Sequence, residues 1–478
     1  MNQNLVTAAR HCAVGLLVTT MALPLQAALA ADIVVSKFTD SLDGSCNSDC
    51  SLREAVQLAN QTPGASRIIL AAGTYRLSIA PEQGAPNPGD DLRPIDDDAN
   101  LNGDLDIGGT LSVVGKGIDV TTIDAGGIDR IFEALPGAVV KLAKLTVRNG
   151  HHGSRSGGID INVGASLALQ SAAVTQNSAW NRGTYPGSYG GGISNYGTLT
   201  VDASRIDGNS VEDGDYGPID GIQPGSGGGI FNRGSLTVRD AYFIDNDAYG
   251  ANDNGAGGAI WNDGKADIRR ASFEDNYVSF EGAGAAIFNF GAGQLRLENS
   301  TVAGHYRAEP YWHAAAVENG ARQEAAPAAA AKLINVTIAG YSGYGLINRA
   351  RLTIVNSIVA GNGNGTVGEP FDNQDANCLN EGTSARFSQT GLLRGTDSGN
   401  CPSTLLVLNA DSFVTLMYPL ALNNWQTPTF ALRPGSIAVD SAVGSCPSTD
   451  QRRVSRPRDG NGDGIAACDL GAYERPKP

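Results

Sequence analysis

Two stretches of the chain gather oxygen-bearing side chains at alternate positions. Asp98, Asn100, Asn102, Asp104 and Asp106 surround Gly103, and Asp459, Asn461 and Asp463 precede Gly464. Alternation around a glycine turn aims successive side chains at one point, as the first half of a calcium loop does for a hard cation. Neither run has a glutamate at its twelfth position, where Gly109 and Leu470 stand. The bidentate ligand must therefore come from elsewhere, in the second run from Asp469. The metal candidates are Asp459, Asn461, Asp463 and Asp469, with calcium as the cation. Plain Asx turns account for the same spacing, and for the first run they are the preferred reading.

Other residue types suit acid and base chemistry. Hydrolysis of a glycoside needs paired carboxylates, and elimination from a uronate needs a base with a cation or arginine to neutralise the acid. Asp245, Glu274 and Asp275 are candidates, as are His151 and His152 beside Arg155. The acids sit in repeated turns and the histidines in a glycine-rich loop, so none is assigned a catalytic role. Trp180, Tyr185, Tyr189, Tyr216, Tyr249 and Trp312 fall mostly in inserted loops. Aromatic rings along one flank suit sugar rings or a protein surface. A binding or structural role toward extracellular polysaccharide or a surface protein is the leading expectation. Its alternative is a polysaccharide lyase or glycoside hydrolase working in a flank groove.

The elements that position these residues come from a repeat. A phrase of two small residues, an apolar residue, any residue and Asn returns at 157–162, 191–195, 228–232, 258–262 and 285–289, with weaker copies ending at Asn319 and Asn348. Successive Asn residues are 33, 37, 30, 27, 30 and 29 apart. A period in this range signals a solenoid, propeller or array. After each Asn comes an alternating strand such as Thr198 to Val201, then a third short strand ending in a turn such as Asp207-Gly208-Asn209. Three short strands and no helix-length segment per unit describe one coil of an all-β, right-handed parallel β-helix, a pectate-lyase-like solenoid. Stacking at about 4.8 Å would put Asn195, Asn232, Asn262 and Asn289 into one inward ladder. Asn suits such a column because it tolerates the left-handed backbone of a sharp bend while its amide can bond to the copy above. Ser194, Phe231, Trp261 and Phe288, one place earlier, would form a second column.

Residues 1–30 read as a signal peptide, with Arg10, an apolar run from Cys12 to Val18 and Ala28-Leu29-Ala30 before the cleavage point. No later stretch is apolar for long enough to span a bilayer. Six cysteines remain, Cys46, Cys50, Cys378, Cys401, Cys446 and Cys468. They allow fifteen pairings, and their clustering favours the three sequence-neighbour couples. The net charge of −15 becomes −16 once Arg10 is removed (−15 − 1), so a polyanion such as nucleic acid is repelled over most of the surface.

From Cys50 to Ala55 the chain reads Cys-Ser-Leu-Arg-Glu-Ala. Ser51 and Glu54 have capping-box spacing, and Leu52, Ala55, Val56 and Ala59 share one helical face, which predicts a short helix capping the first coil. This stretch resembles the CSLREA domain of bacterial secreted β-helix proteins. Pro434 to Asp440, Thr449-Asp450-Gln451-Arg452, Arg456-Pro457 and Cys468 to Glu474 resemble the choice-of-anchor Q domain. The resemblance implies a secreted or cell-surface β-helix and names no reaction. Proteins of that type usually continue into a sorting tail where this sequence ends in Arg475-Pro476-Lys477-Pro478, so release or retention by another contact is expected. The organisation expected is a signal peptide (1–30), a cap with the first coil (31–80), β-helix repeats (81–432) and a C-terminal segment (433–478). The strands of 363–432 cannot be placed individually from the sequence.

Overall fold

The computed structural model describes residues 32–83, 97–153, 155–181, 187–213, 225–250, 255–279, 282–304, 314–321, 328–363, 376–397 and 399–478. The signal peptide, Tyr185, Tyr216, Trp312 and most of the 81–94 loop lie outside these residues. All strand pairs are parallel, and each strand pairs with its counterparts in the coils before and after it. The result is a parallel β-solenoid. Among the described residues it has two twelve-stranded sheets, one ten-stranded sheet and one five-stranded sheet.

One coil shows the order. Ile193–Asn195 lies in sheet 3, Thr198–Asp202 in sheet 1, Arg205–Asp207 in sheet 2 and Ser210–Asp213 in the short sheet 4. Sheet 4 departs from the three strands expected per unit. It occupies only the coils from His151–His152 to Tyr277–Val278. Its strands are two to four residues long, too short for an alternation to stand out in sequence. They also explain the glycines of the phrase. A Cβ on Gly191 would come within 2.2 Å of the Ser210 carbonyl oxygen and 2.5 Å of that of Gly228. Ala285 stands at the same place in the phrase one coil beyond Gly258, where the described part of sheet 4 has ended.

Inward residues of sheets 1, 2 and 3 build one core that runs from Ile33 to Cys401, and those of sheet 4, Ala179, Val211, Ala248 and Val278, pack in a separate cluster. Three corner devices hold its outline. First, Asn195 donates to Asn232 at 2.6 Å, Asn232 to Asn262 at 2.7 Å and Asn262 to Asn289 at 2.7 Å, all fully buried. The same bonds continue through Asn319 and Asn348 to Asn380. The register pairs Ile161, not Asn162, with Asn195, so the column of asparagines begins one coil later than the phrase suggests. Second, the corner between sheets 1 and 2 is turned by one left-handed residue per coil, among them Ala203, Asp240, Arg270, Asn299, Asn335 and Asn356. The ladder asparagines themselves are not left-handed, so their amides are what the column selects. Third, Asn177, Asn209, Asn246 and Asn276 form another ladder at 2.9 Å per step after sheet 2.

The ends are closed differently. Helix α1 (Leu52–Gln61) has the capping box between Ser51 and Glu54 and buries Leu52, Ala55, Val56 and Ala59. Arg53 of this helix is fully buried, pairs with Asp40 at 3.0 Å and donates to the carbonyls of Asn102, Gly103 and Asp104. At the other end the last solenoid strands are Arg386–Thr390, Leu393–Gly395 and Leu405–Val407, so the flanking segment begins before residue 433. From about Asn409 the chain packs back onto sheet 2. Buried Gln451 bonds to Ser272, Thr301 and Thr427, and Asn335 donates to the carbonyls of Asp469 and Gly471. Cys46–Cys50, Cys378–Cys401 and Cys446–Cys468 are bonded. No helix among the described residues is long and apolar enough to cross a membrane.

Candidate functional site

Sheet 3 turns one residue per strand away from the core. The register stacks Asp106, Glu133, Asp160, Ser194, Phe231, Trp261 and Phe288 in a single outer column. Its character changes along the axis. The Phe231 and Trp261 rings stack 4.4 Å apart, nearly parallel, and are buried with Tyr189. Tyr189 is thus packed against Phe231 at 5.0 Å and does not offer a free face to a sugar ring.

The three acidic members are buried, yet they lie in successive coils. Arg130 pairs with two of them, Glu133 at 3.1 Å and Asp160 at 3.4 Å, and with Asp104 beside the column at 3.0 Å. Arg155 reaches Asp160 at 2.6 Å, and its guanidinium lies over the Tyr196 ring at 4.9 Å. Asn162 donates to Glu133 at 2.5 Å. Burial would lower the Arg155 guanidinium, but Asp160 and Tyr196 outweigh it and hold it above its usual value. Burial raises the Tyr196 phenol. Both groups are therefore in their ordinary protonation states at neutral pH.

Exposed Asp98 joins this row from the other side. Its carboxylate, with those of Asp106 and Glu133, brings ligand oxygens within 4.8 Å of one another. Three carboxylates at that separation suit a hard divalent cation. The site combines the first oxygen-rich run with a glutamate from the next coil. Among the described residues no second group of three His, Cys, Asp or Glu side chains comes so close.

The expected metal residues at the C-terminal end are arranged otherwise. Asp459 accepts from the backbone N–H groups of Gly462 and Gly464, Asn461 from that of Asp463, and Asp463 from that of Ile465. Asp469 points away, accepting from the N–H groups of Asp440 and Arg475. The oxygens of Asp459, Asn461 and Asp463 thus serve the backbone of their own Asx turns, and those of Asp469 the backbone of Asp440 and Arg475. In the first run, Asp97 caps the turn by accepting from Ala99 and Asn102. That leaves Asp98 facing Asp106 and Glu133.

The acid–base candidates are dispersed. Asp245 and Asp275 are left-handed turn residues, and Glu274 bonds to the Tyr242 hydroxyl. His151 lies in sheet 4 with Nδ1 at 2.8 Å from the Ser178 hydroxyl, near Trp180, and burial lowers its pKa. Glu133 and Asp160 were not among the expected site residues, although their sequence carries a signal. Leu105-Asp106-Ile107, Phe132-Glu133-Ala134 and Ile159-Asp160-Ile161 are apolar-acid-apolar triplets exactly one coil, 27 residues, apart.

No protein family model matches the sequence, and no curated protein does. Among solved structures, the pectate lyase Pel9A aligns with 94% of this chain and 98% of its own at 13% identity and a TM-score of 0.46. The catalytic domain of a GH87 alpha-1,3-glucanase in complex with nigerose aligns with 75% of this chain and 69% of its own, at 13% identity and a TM-score of 0.32. A PL6 family alginate lyase aligns with 79% of this chain and 53% of its own, at 12% identity and a TM-score of 0.33. These likenesses are remote and carry no argument about activity.

Proposed function

We propose that this protein engages acidic polysaccharide at the carboxylate–arginine site of sheet 3, with a divalent cation held by Asp98, Asp106 and Glu133. One observation carries the proposal: three carboxylates converge within 4.8 Å at the edge of a row otherwise neutralised by Arg130 and Arg155. A net charge of −15 opposes the approach of a uronate to the acidic column, and a bound cation offsets that repulsion there. A hard cation with open coordination positions can bind protein and sugar carboxylates together, and calcium suits such ligands best. Arg155 and Asn162, partly exposed beside it, supply donors for a sugar carboxylate or hydroxyl.

The same equipment favours a second reading, turnover by a lyase or hydrolase at this site. A cation on a uronate carboxylate acidifies the neighbouring proton, and an arginine stabilises the charge that develops. Incubation of the protein with polygalacturonate and calcium separates the two. Binding without new absorbance at 235 nm or new reducing ends supports the binding role, and steady product release lost in Glu133→Gln supports turnover.

The wider setting belongs to the same proposal. Export as a CSLREA and choice-of-anchor Q type protein is supported by the structural use of those motifs, Arg53 in the cap and Gln451 in the flanking segment. A right-handed winding is proposed because parallel crossovers overwhelmingly take that hand.

A further inference from the structure

Sheet 1 carries a second feature, on a face that the carboxylate site does not use. Its outward residues stack in columns across successive coils. Lys265, Gln294, Ala330, Arg351 and Arg386 form one, and Asp267, Arg296, Lys332 and Thr353 form the next. Arg239 and Arg269 are paired in a third. Arg269 is bound to Asp267 at 2.7 Å and Arg296 to Glu298. Arg239, Lys265, Lys332, Arg351 and Arg386 are exposed and form no ion pair among the described residues. Arg239 faces Asp202 in register, and the other four cations stand with no acid directly opposite them, against a net charge of −15.

The strip also has a shape. A shallow groove of about 490 Å³ crosses it, floored by Ala266, Ala330 and Ala331 and walled by Lys265, Lys332 and Arg351. We propose that this strip is a track for a linear anionic polysaccharide lying along the solenoid axis. Coils succeed one another at about 4.8 Å, and Lys265, Lys332, Arg351 and Arg386 place a cation every one or two coils along the axis, spread over two neighbouring columns, a spacing that an extended chain of charges can follow. At physiological salt the screening length is about 8 Å, so a chain seated in the groove feels the strip more than the distant acids. No aromatic side chain lines the groove, which removes the stacking platform that a single-stranded nucleic acid would use. The ligand class is that of the proposed function, but this contact needs no divalent cation, so either can fail without the other.

The test is a titration of the whole protein with polygalacturonate, dextran sulfate, neutral dextran and an oligothymidylate, in EDTA at about 0.15 M salt. The two anionic glycans distinguish carboxylate from sulfate. Binding of at least one of them and not of dextran is expected, weakening as salt rises. The Lys265→Glu, Lys332→Glu, Arg351→Glu variant should lose about tenfold or more in affinity with a flatter salt dependence. Its melting temperature should hold, because the side chains are exposed, and a Lys265→Arg, Lys332→Arg variant should bind like the parent. No binding of either anionic glycan, unchanged affinity in the triple variant, or equal affinity for the oligothymidylate would overturn the proposal. A calcium arm reports separately on the carboxylate site.

Discussion

Asn262 has one amide to satisfy two neighbours. It donates to Asn289 and accepts from Asn232 while wholly buried. Leu at this position keeps the volume but deprives the Asn232 amide N–H of its ladder acceptor and the Asn289 carbonyl oxygen of its ladder donor, at a cost of about 1–3 kcal/mol. Chemical denaturation of the Asn262→Leu variant checks it, and a change under a few tenths of a kcal/mol would show that the ladder contributes little. The ladder is legible in sequence because the same residue recurs at one corner. The acid column is less so, since its members share only charge and a 27-residue interval, from Asp106 to Glu133 and on to Asp160. Burial sets another residue-scale property near the C-terminus. It pushes Asp469 up to about 6 and Glu474 up to about 7, despite Arg456 at 3.4 Å from Glu474. A carboxyl whose folded pKa is raised binds its proton more tightly in the folded state. Its stabilising contribution is full below about pH 4 and is lost as pH rises through about 7. Melting should therefore soften between these limits, and the slope should shrink in Glu474→Gln.

At the scale of elements, the two ends show how motifs become structure. In α1 the capping box and apolar stripe are visible in the sequence, but the role of Arg53 is not, because its partners, Asp40 and the Asn102–Asp104 carbonyls, lie in separate loops outside the helix. Arg53→Met leaves Asp40 buried without its counter-ion, and a loss of about 3–5 kcal/mol is expected. Hydrogen exchange should then quicken in α1 and the first coil. The Asp450-Gln451-Arg452 run likewise pins the flanking segment to Ser272 and Thr301 in sheet 2. Sheet 4 escapes sequence reading because two to four residues between loops carry too short a pattern.

For the whole molecule, the architecture follows from each coil burying its apolar row against the next, so stability is nearly a sum of neighbour contacts. Function depends on what the coils place side by side on their outer faces. A repeat reveals its core, where residue types must recur, and conceals its flanks, where each coil is free to differ. Sheet 3 accordingly changes from acids to aromatics along one column, and sheet 1 collects cations over a limited stretch. The central claim is that Asp98, Asp106 and Glu133 hold a divalent cation through which acidic sugar is bound. Titration calorimetry with polygalacturonate, in EDTA and then in millimolar calcium, tests it most directly when the parent is compared with an Asp106→Asn, Glu133→Gln variant. The account predicts that calcium strengthens binding to the parent and leaves the variant unaffected, while an Asp459→Ala, Asp463→Ala variant behaves like the parent. Equal calcium enhancement in the Asp106→Asn, Glu133→Gln variant, or no enhancement in the parent, would contradict it.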